Sequence, residues 1–316
     1  MNWSPRTGVS TKNLSVHVDD LVSDYKATGL ISLKSLYADH DAVAELCTLL
    51  SPHLKWHHYV DDTTFMAWPY KQDHDGRIGV VSDQGRNEPD VTLIEWHIEG
   101  VSMQYPQWGG AWNMYNFKAP PNSGSTGFVD MAGLYNDLSV DERKFLDSAE
   151  IIHFCNWTIP PTEEQFGKFM DSVSQGKRII YSKDGDEYVA SFSRPAVERH
   201  PTFGMSTLRT CPCHNSFGLQ EHLLLVGGRI PSDGERDFFA KTMDKIRWEI
   251  SENEERQHWY FWDEGDLLIV DLFRLAHGVR AGYEKGQRNF QGYWLFEPGV
   301  PEEPSPRLLS LPDDIG

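Results

Sequence analysis

The stretch that most restricts how this chain can fold runs from Phe261 to His277. Gly265-Asp266 is a turn signal, and the apolar run Leu267 to Val270 that follows is too short for a buried helix, so a buried strand is expected. The strand ends shortly before His277, which the reading places just past a core strand, at a rigid rim suited to a metal ligand.

A second candidate ligand set lies far upstream. Val91 to Ile94 is strand-forming, and the alternation beyond it puts His97 and Glu99 on one face, since residues i and i+2 of a strand point the same way. Two imidazoles and one carboxylate on one face of an octahedral ion leave three positions open, the donor set of a non-haem Fe(II) oxygenase. An isolated His-x-Glu is also what a salt-bridging pair at a strand edge looks like, so its neighbours must decide. His57 and His58 are adjacent, point to opposite faces of a strand, and read as surface or interface residues. Cys211 and Cys213 lack the two-residue gap of a zinc knuckle and no second pair follows, so the four cysteines read as reduced thiols.

The 316 residues suffice for one large core and are read as a single domain: a helical and loop extension over 1–90, then a core over 91–296 with an insertion at about 157–190. With 29 Lys and Arg against 47 Asp and Glu, the net charge of -18 disfavours nucleic acid or an anionic membrane as partner. The longest apolar run, near Leu223 to Val226, is far below the roughly 20 residues of a membrane span, and Met1 to Asp20 has no signal-peptide core. A cytoplasmic protein with a small-molecule substrate is expected, with an oligomer open because its Trp and Phe suit a pocket or a subunit interface equally.

Helical spacing predicts helices over 31–50, the second capped by Asp41 and ended before Pro52, with further helices over 139–147 and 232–253. Ser139 with Glu142 forms a capping-box signature, and Ser232 is the cap of the last helix. Short strands are expected at Ile78 to Val81, Gly109 to Phe117, Phe128 to Met131 and Ile151 to Trp157, with a hairpin around Lys183 to Asp186.

Over roughly residues 91 to 296 the chain resembles the Fe(II)/2-oxoglutarate-dependent dioxygenases of the TauD/TfdA-like branch. The likeness is carried by Trp96-His97-Ile98-Glu99, by Gly124 to Phe128 with Tyr135 and Leu138-Ser139, by Arg199-His200-Pro201, and by Trp262, Gly265-Asp266, Asp271, His277 and Arg288. It implies a mainly β chain with flanking helices, a double-stranded β-helix (a cupin-like jelly roll). It implies His97, Glu99 and His277 as Fe(II) ligands and 2-oxoglutarate as cosubstrate with O2. Arg288, eleven residues after His277, would grip the distal carboxylate in a bidentate fork, and Thr126 would add its hydroxyl. Trp262, Gly265, Asp266 and Asp271 would define the fold rather than act in catalysis.

Two departures bear on the substrate. The family's common carboxylate ligand is Asp, whereas Glu99 matches the clavaminate-synthase-like minority, which favours an amino-acid-like substrate. Some members also hold an anionic substrate with a second Arg four residues after the first, and here that position is Gly292. Tyr105, Trp112, Asn113 and Arg274 are the candidate substrate-pocket residues, and Arg274 equally suits a salt bridge at the core rim. The expected reaction is hydroxylation, with desaturation or cyclisation as other outcomes. Two other readings stand beside it: a cupin-like metalloenzyme with no use for 2-oxoglutarate or Arg288, and a non-enzymatic jelly-roll binding module.

Overall fold

A computed structural model describes residues 5–55, 57–58, 71–73, 78–81, 92–98, 109–154, 179–183, 186–213, 224–284 and 286–296. Eight strands build the part of the fold that carries the candidate site: β1 (Leu30–Leu33), β2 (Thr92–His97), β3 (Gly109–Phe117), β4 (Thr126–Asp130), β5 (His258–Tyr260), β6 (Leu267–Val270), β7 (Leu275–Arg280) and β8 (Arg288–Phe296). The larger sheet runs β1-β6-β3-β8, continues through Ile78–Val81 to Lys71–Asp73, and takes His57–His58 as a further partner of β8. The smaller runs β5-β4-β7-β2. Among the described residues every pairing of one strand with another in these two sheets is antiparallel, and Arg6 adds a single parallel bridge to Leu33 of β1.

Strand alternation explains how the two sheets stack. Leu268 and Val270 of β6, with Trp112 and Met114 of β3, pack against Phe128 of β4, Tyr260 of β5 and Leu275 of β7, so the inner core lies between the sheets. The intervening residues Leu267 and Ile269, with Ala111, face the other way and pack on helices α1 (Val18–Thr28) and α2 (His40–Leu54). Behind the smaller sheet, Trp96, Val129 and Ala276 pack on α3 (Met131–Asp137), α4 (Val140–Asp147) and α5 (Asp233–Ser251). A further four-stranded sheet contributes Ile151 and Leu224 to that same cluster. The expectation of a mainly β chain understates the helices. Among the described residues neither sheet closes or curls on itself, so what is seen is a helix-flanked pair of stacked antiparallel sheets rather than a closed barrel.

Where local signals are strong the elements form as their sequences dictate. Ser139 and Ser232 each make the reciprocal capping box, with Glu142 and Glu235, and Ile179–Lys183 pairs with Asp186–Pro195 as the expected hairpin. Three details differ. Leu30–Leu33 is a strand rather than the start of a helix, because every one of its side chains is buried and it adds to the edge of the larger sheet beside β6. The cap of α2 is Asp39, which accepts from the Ala42 amide at 2.9 Å, not Asp41. That helix continues through Pro52 to Leu54, since a proline in the last turn forfeits one hydrogen bond while Lys55, in the left-handed region, closes the end on Ser51.

His277 is placed differently from the sequence reading. It is not at the rim beyond β6: the turn Asp271 to Arg274 carries the chain across to the smaller sheet, and His277 is the third residue of β7, buried between β4 and β2. The sequence has one apolar strand followed by a histidine, and the sheet change in between leaves no local signature.

Candidate active site

In β7 the side chains of Leu275 and Ala276 point to opposite faces, Leu275 into the core between the sheets and Ala276 toward the helices. His277 therefore faces inward with Leu275. In β2, Trp96 and Ile98 belong to the outer cluster, which puts His97 on the inner face. Register then brings the two histidines together: they are directly paired across the sheet, and their rings lie 4.1 Å apart between centroids. The His97 ring meets its own strand's Glu95 carbonyl from Nδ1 at 2.7 Å. A ring that donates from Nδ1 carries its lone pair on Nε2, the usual arrangement of a ligating imidazole. Glu99 and Tyr105 lie outside the described residues.

Glycine makes room for this pairing. A Cβ on Gly127, in β4 beside His277, would stand 2.5 Å from the Trp96 ring, and one on Gly278 would stand 3.1 Å from the Ile94 carbonyl. Trp112 of β3 covers the pair from the opposite sheet, its ring 5.3 Å from that of His277 and stacked on Phe128.

One pleat repeat along β4 from Phe128, the residue paired with His277, sits Thr126, roughly 7 Å further on the same face. Its Oγ1 accepts from Arg288 Nη2 at 3.1 Å and from the Trp262 indole at 2.9 Å. Arg288 enters from β8 and is almost fully buried; its Nε donates to the Gly124 carbonyl at 2.9 Å, and its guanidinium lies 5.9 Å over the Tyr283 ring. Gly124 adopts φ +63 and passes so close that a Cβ there would touch Arg288 Cδ at 3.0 Å. Tyr283 had no local signal pointing to it, because it reaches the arginine only through the turn that precedes β8.

The remaining sequence candidates separate. Asn113 is buried and donates to the Ala38 carbonyl at 2.7 Å, toward the α2 side of the larger sheet and away from the histidines. Arg274 makes a two-point ion pair with Asp130 (Nη2 to Oδ2 2.6 Å, Nε to Oδ1 3.0 Å) and caps the end of α1 through the Lys26 and Ala27 carbonyls. Burial lowers the Arg274 pKa, but its bonds to Asp130 outweigh that and hold it above its ordinary value. Of the four pocket candidates Trp112 alone, among the described residues, abuts the histidine pair.

His200 also resolves into a structural part. Its Nδ1 accepts from the Thr202 and Phe203 amides, both at 3.1 Å, so its Nε2 carries the hydrogen given to Asp271 at 2.9 Å. Asp271 in turn accepts from the Arg274 amide and so shapes the turn that crosses between the sheets. Asp266 accepts from Lys34, Ser35, Asp263 and Tyr260 and is completely buried, which explains its place in the sequence pattern without any chemistry.

The family described as taurine catabolism dioxygenase TauD, TfdA, matches residues 10–294. The chain belongs to that family. It is a non-haem Fe(II)/2-oxoglutarate-dependent dioxygenase. The dioxygenase shares its fold with a taurine dioxygenase from Burkholderia xenovorans, at 17% identity over 89% of this chain and 80% of that one, with a TM-score of 0.56. A protein called AAD-2, solved with Mn(II) and N-oxalylglycine, superposes with a TM-score of 0.55 at 12% identity over 95% of this chain and 93% of that one. PvcB, described as an Fe, alpha-ketoglutarate dependent oxygenase from an isonitrile synthetic pathway, gives 0.53 at 14% identity over 92% and 83%. No curated protein matches the dioxygenase in sequence. Among its described residues no helix is long and apolar enough to cross a membrane.

The donor chemistry suits the family's iron. Two imidazoles already face one another from paired strands, and the lone-pair nitrogen of His97 is set by its bond to Glu95. No group of three or more His, Cys, Asp or Glu that could hold a metal is found among the described residues, a set that does not include Glu99.

Proposed function

We propose that His97, Glu99 and His277 hold Fe(II), that Arg288 and Thr126 grip the distal carboxylate of 2-oxoglutarate, and that the dioxygenase hydroxylates a small amino-acid-like substrate, with desaturation or cyclisation as its other outcomes. The single observation that carries the reading is the distribution of polar groups in an otherwise apolar interior. Two histidines converge at one point of the inner face, and one pleat repeat away on the same sheet stands a threonine hydroxyl bonded to a buried arginine that enters from β8 of the facing sheet. The planar fork of that guanidinium matches a carboxylate in shape and charge.

When bound, the metal supplies activation of dioxygen coupled to decarboxylation of the oxo acid, leading to oxidation of a substrate C–H bond. The protein's share is placement and dryness. Arg288, tied at Nε to Gly124, offers a guanidinium that does not need to reorganise on binding. Trp112 and Phe128 wall the histidines with aromatic surface and keep water away from them. An amino-acid-like substrate rests on Glu99 in place of Asp, and on Gly292 where an anion-gripping second arginine would stand.

The test is an anaerobic absorption titration of metal-free protein with Fe(II) and then 2-oxoglutarate, beside Arg288→Ala and Glu99→Ala. A broad charge-transfer band that needs both components, and needs far more 2-oxoglutarate after Arg288→Ala, is the expected result. A band that ignores Arg288→Ala would remove the proposed carboxylate grip. Succinate release on a panel of free and derivatised amino acids then tests the substrate class, and stimulation by sulfonates alone would exclude it.

A further inference from the structure

Resting on the cosubstrate reading above, we infer that Trp262 is a positioning residue for the cosubstrate's distal carboxylate, acting through Thr126. A hydroxyl has one hydrogen to give and two lone pairs to receive with. At Thr126 both lone pairs are used inside the fold: the Trp262 indole donates at 2.9 Å and Arg288 Nη2 at 3.1 Å. The Thr126 hydrogen is thereby directed away from both donors, and a carboxylate held by Arg288 is the acceptor it meets. Trp262 turns a rotor that can donate or accept into a fixed donor.

The indole is itself held firmly. Trp262 is 3% exposed and packs edge-on against Tyr260 at 4.7 Å, and the Tyr260 hydroxyl donates to the fully buried Asp266. Lys34 closes the same carboxylate from α1's side of the chain at 2.7 Å. Burial pushes the Tyr260 phenol well up, so it stays a donor throughout the working pH range. The turn at Gly265-Asp266, which looks like a purely structural signal, thus orients the ring that orients Thr126.

A buried indole also seeks an acceptor for packing reasons alone, so the experiment must separate the two roles. The charge-transfer titration is run with the full chain loaded anaerobically with Fe(II), comparing 2-oxoglutarate with pyruvate, which chelates through the same oxo acid but has no distal carboxylate. Trp262→Phe removes the N–H, and replacement of Trp262 by 3-benzothienylalanine removes it with almost no change of shape, which keeps the test valid if the Phe variant folds poorly. Either is expected to raise the 2-oxoglutarate midpoint about three- to tenfold, leave the pyruvate midpoint unchanged, and add nothing further in a Thr126→Val background. Equal weakening of both acids, or effects of Trp262→Phe and Thr126→Val that simply multiply, would overturn the inference. An unaltered enzyme that shows the band while both Trp262 variants titrate identically to it would overturn this inference alone. Absence of the band in the unaltered enzyme would overturn the cosubstrate reading, and this one with it.

Discussion

Arg288 is the residue on which most depends, and it shows why a charge is not interchangeable with a shape. Lysine would keep the positive charge but could not bond Gly124 and Thr126 and still present a flat fork, so Arg288→Lys is expected to weaken 2-oxoglutarate by about 2 kcal/mol, roughly thirtyfold in the titration midpoint, with Fe(II) binding intact. Cys47 illustrates the opposite case, a reactive group with no work to do. It is completely buried between α2 and the larger sheet, and burial pushes its thiol up to about 12. Cys47 should therefore resist iodoacetamide in the native protein at pH 8 and label only on unfolding, as read by peptide mass; rapid native labelling would contradict the packing of α2. The roles of His97 and Arg288 could be proposed from residue type and order along the chain. Asp130 as the partner of Arg274 could not, because that contact joins segments remote along the chain, and Tyr283 beneath Arg288 could not, because the turn before β8 has to fold back to bring the two together.

Elements formed from local signals where those signals were strong. The capping boxes at Ser139 and Ser232 are legible as two-residue patterns, because each satisfies backbone donors within a single turn. Ser139→Ala is expected to cost about 1 kcal/mol, seen as a lower urea midpoint at unchanged slope. Strand β1 is not legible for the converse reason: four consecutive buried residues, three apolar and Ser32, carry neither helical nor alternating periodicity, and only the edge of the larger sheet decides the matter. Gly127 marks where two elements come closest. A Cβ there would stand 2.5 Å from Trp96 and 2.9 Å from Trp259, so Gly127→Ala should destabilise the protein by about 1–3 kcal/mol in chemical denaturation and also disturb the strand pair that sets the His97 to His277 distance. A thermal midpoint equal to that of the unaltered protein would show that the tryptophans yield more easily than their packing implies.

At the scale of the whole molecule, one buried polar network joins the chain's distant parts. Arg274 ties the end of α1 to Asp130 on β4, and Asp271 ties the same turn to His200, so the crossover between the two sheets is anchored from three directions. Replacing Arg274 with Met should cost about 1–3 kcal/mol of stability, because it leaves the partly buried Asp130 carboxylate without its two-point ion pair. The Fe(II)/2-oxoglutarate band should survive in the fraction that folds. Loss of turnover at undiminished stability would instead assign Arg274 to the substrate pocket. The amino-acid sequence by itself determined the chemistry on offer: which residues can ligate, which arginine can grip a carboxylate, and where helices start, since these follow from side-chain identity and from hydrogen bonds made within a few residues. Tertiary structure alone decided that His277 sits inside β7 rather than at a rim, that Asn113 faces away from the histidines, and that the Trp262 indole bonds Thr126. Those outcomes depend on strand register and on which sheet each strand joins, and both are set by the burial of side chains that are remote from one another along the chain.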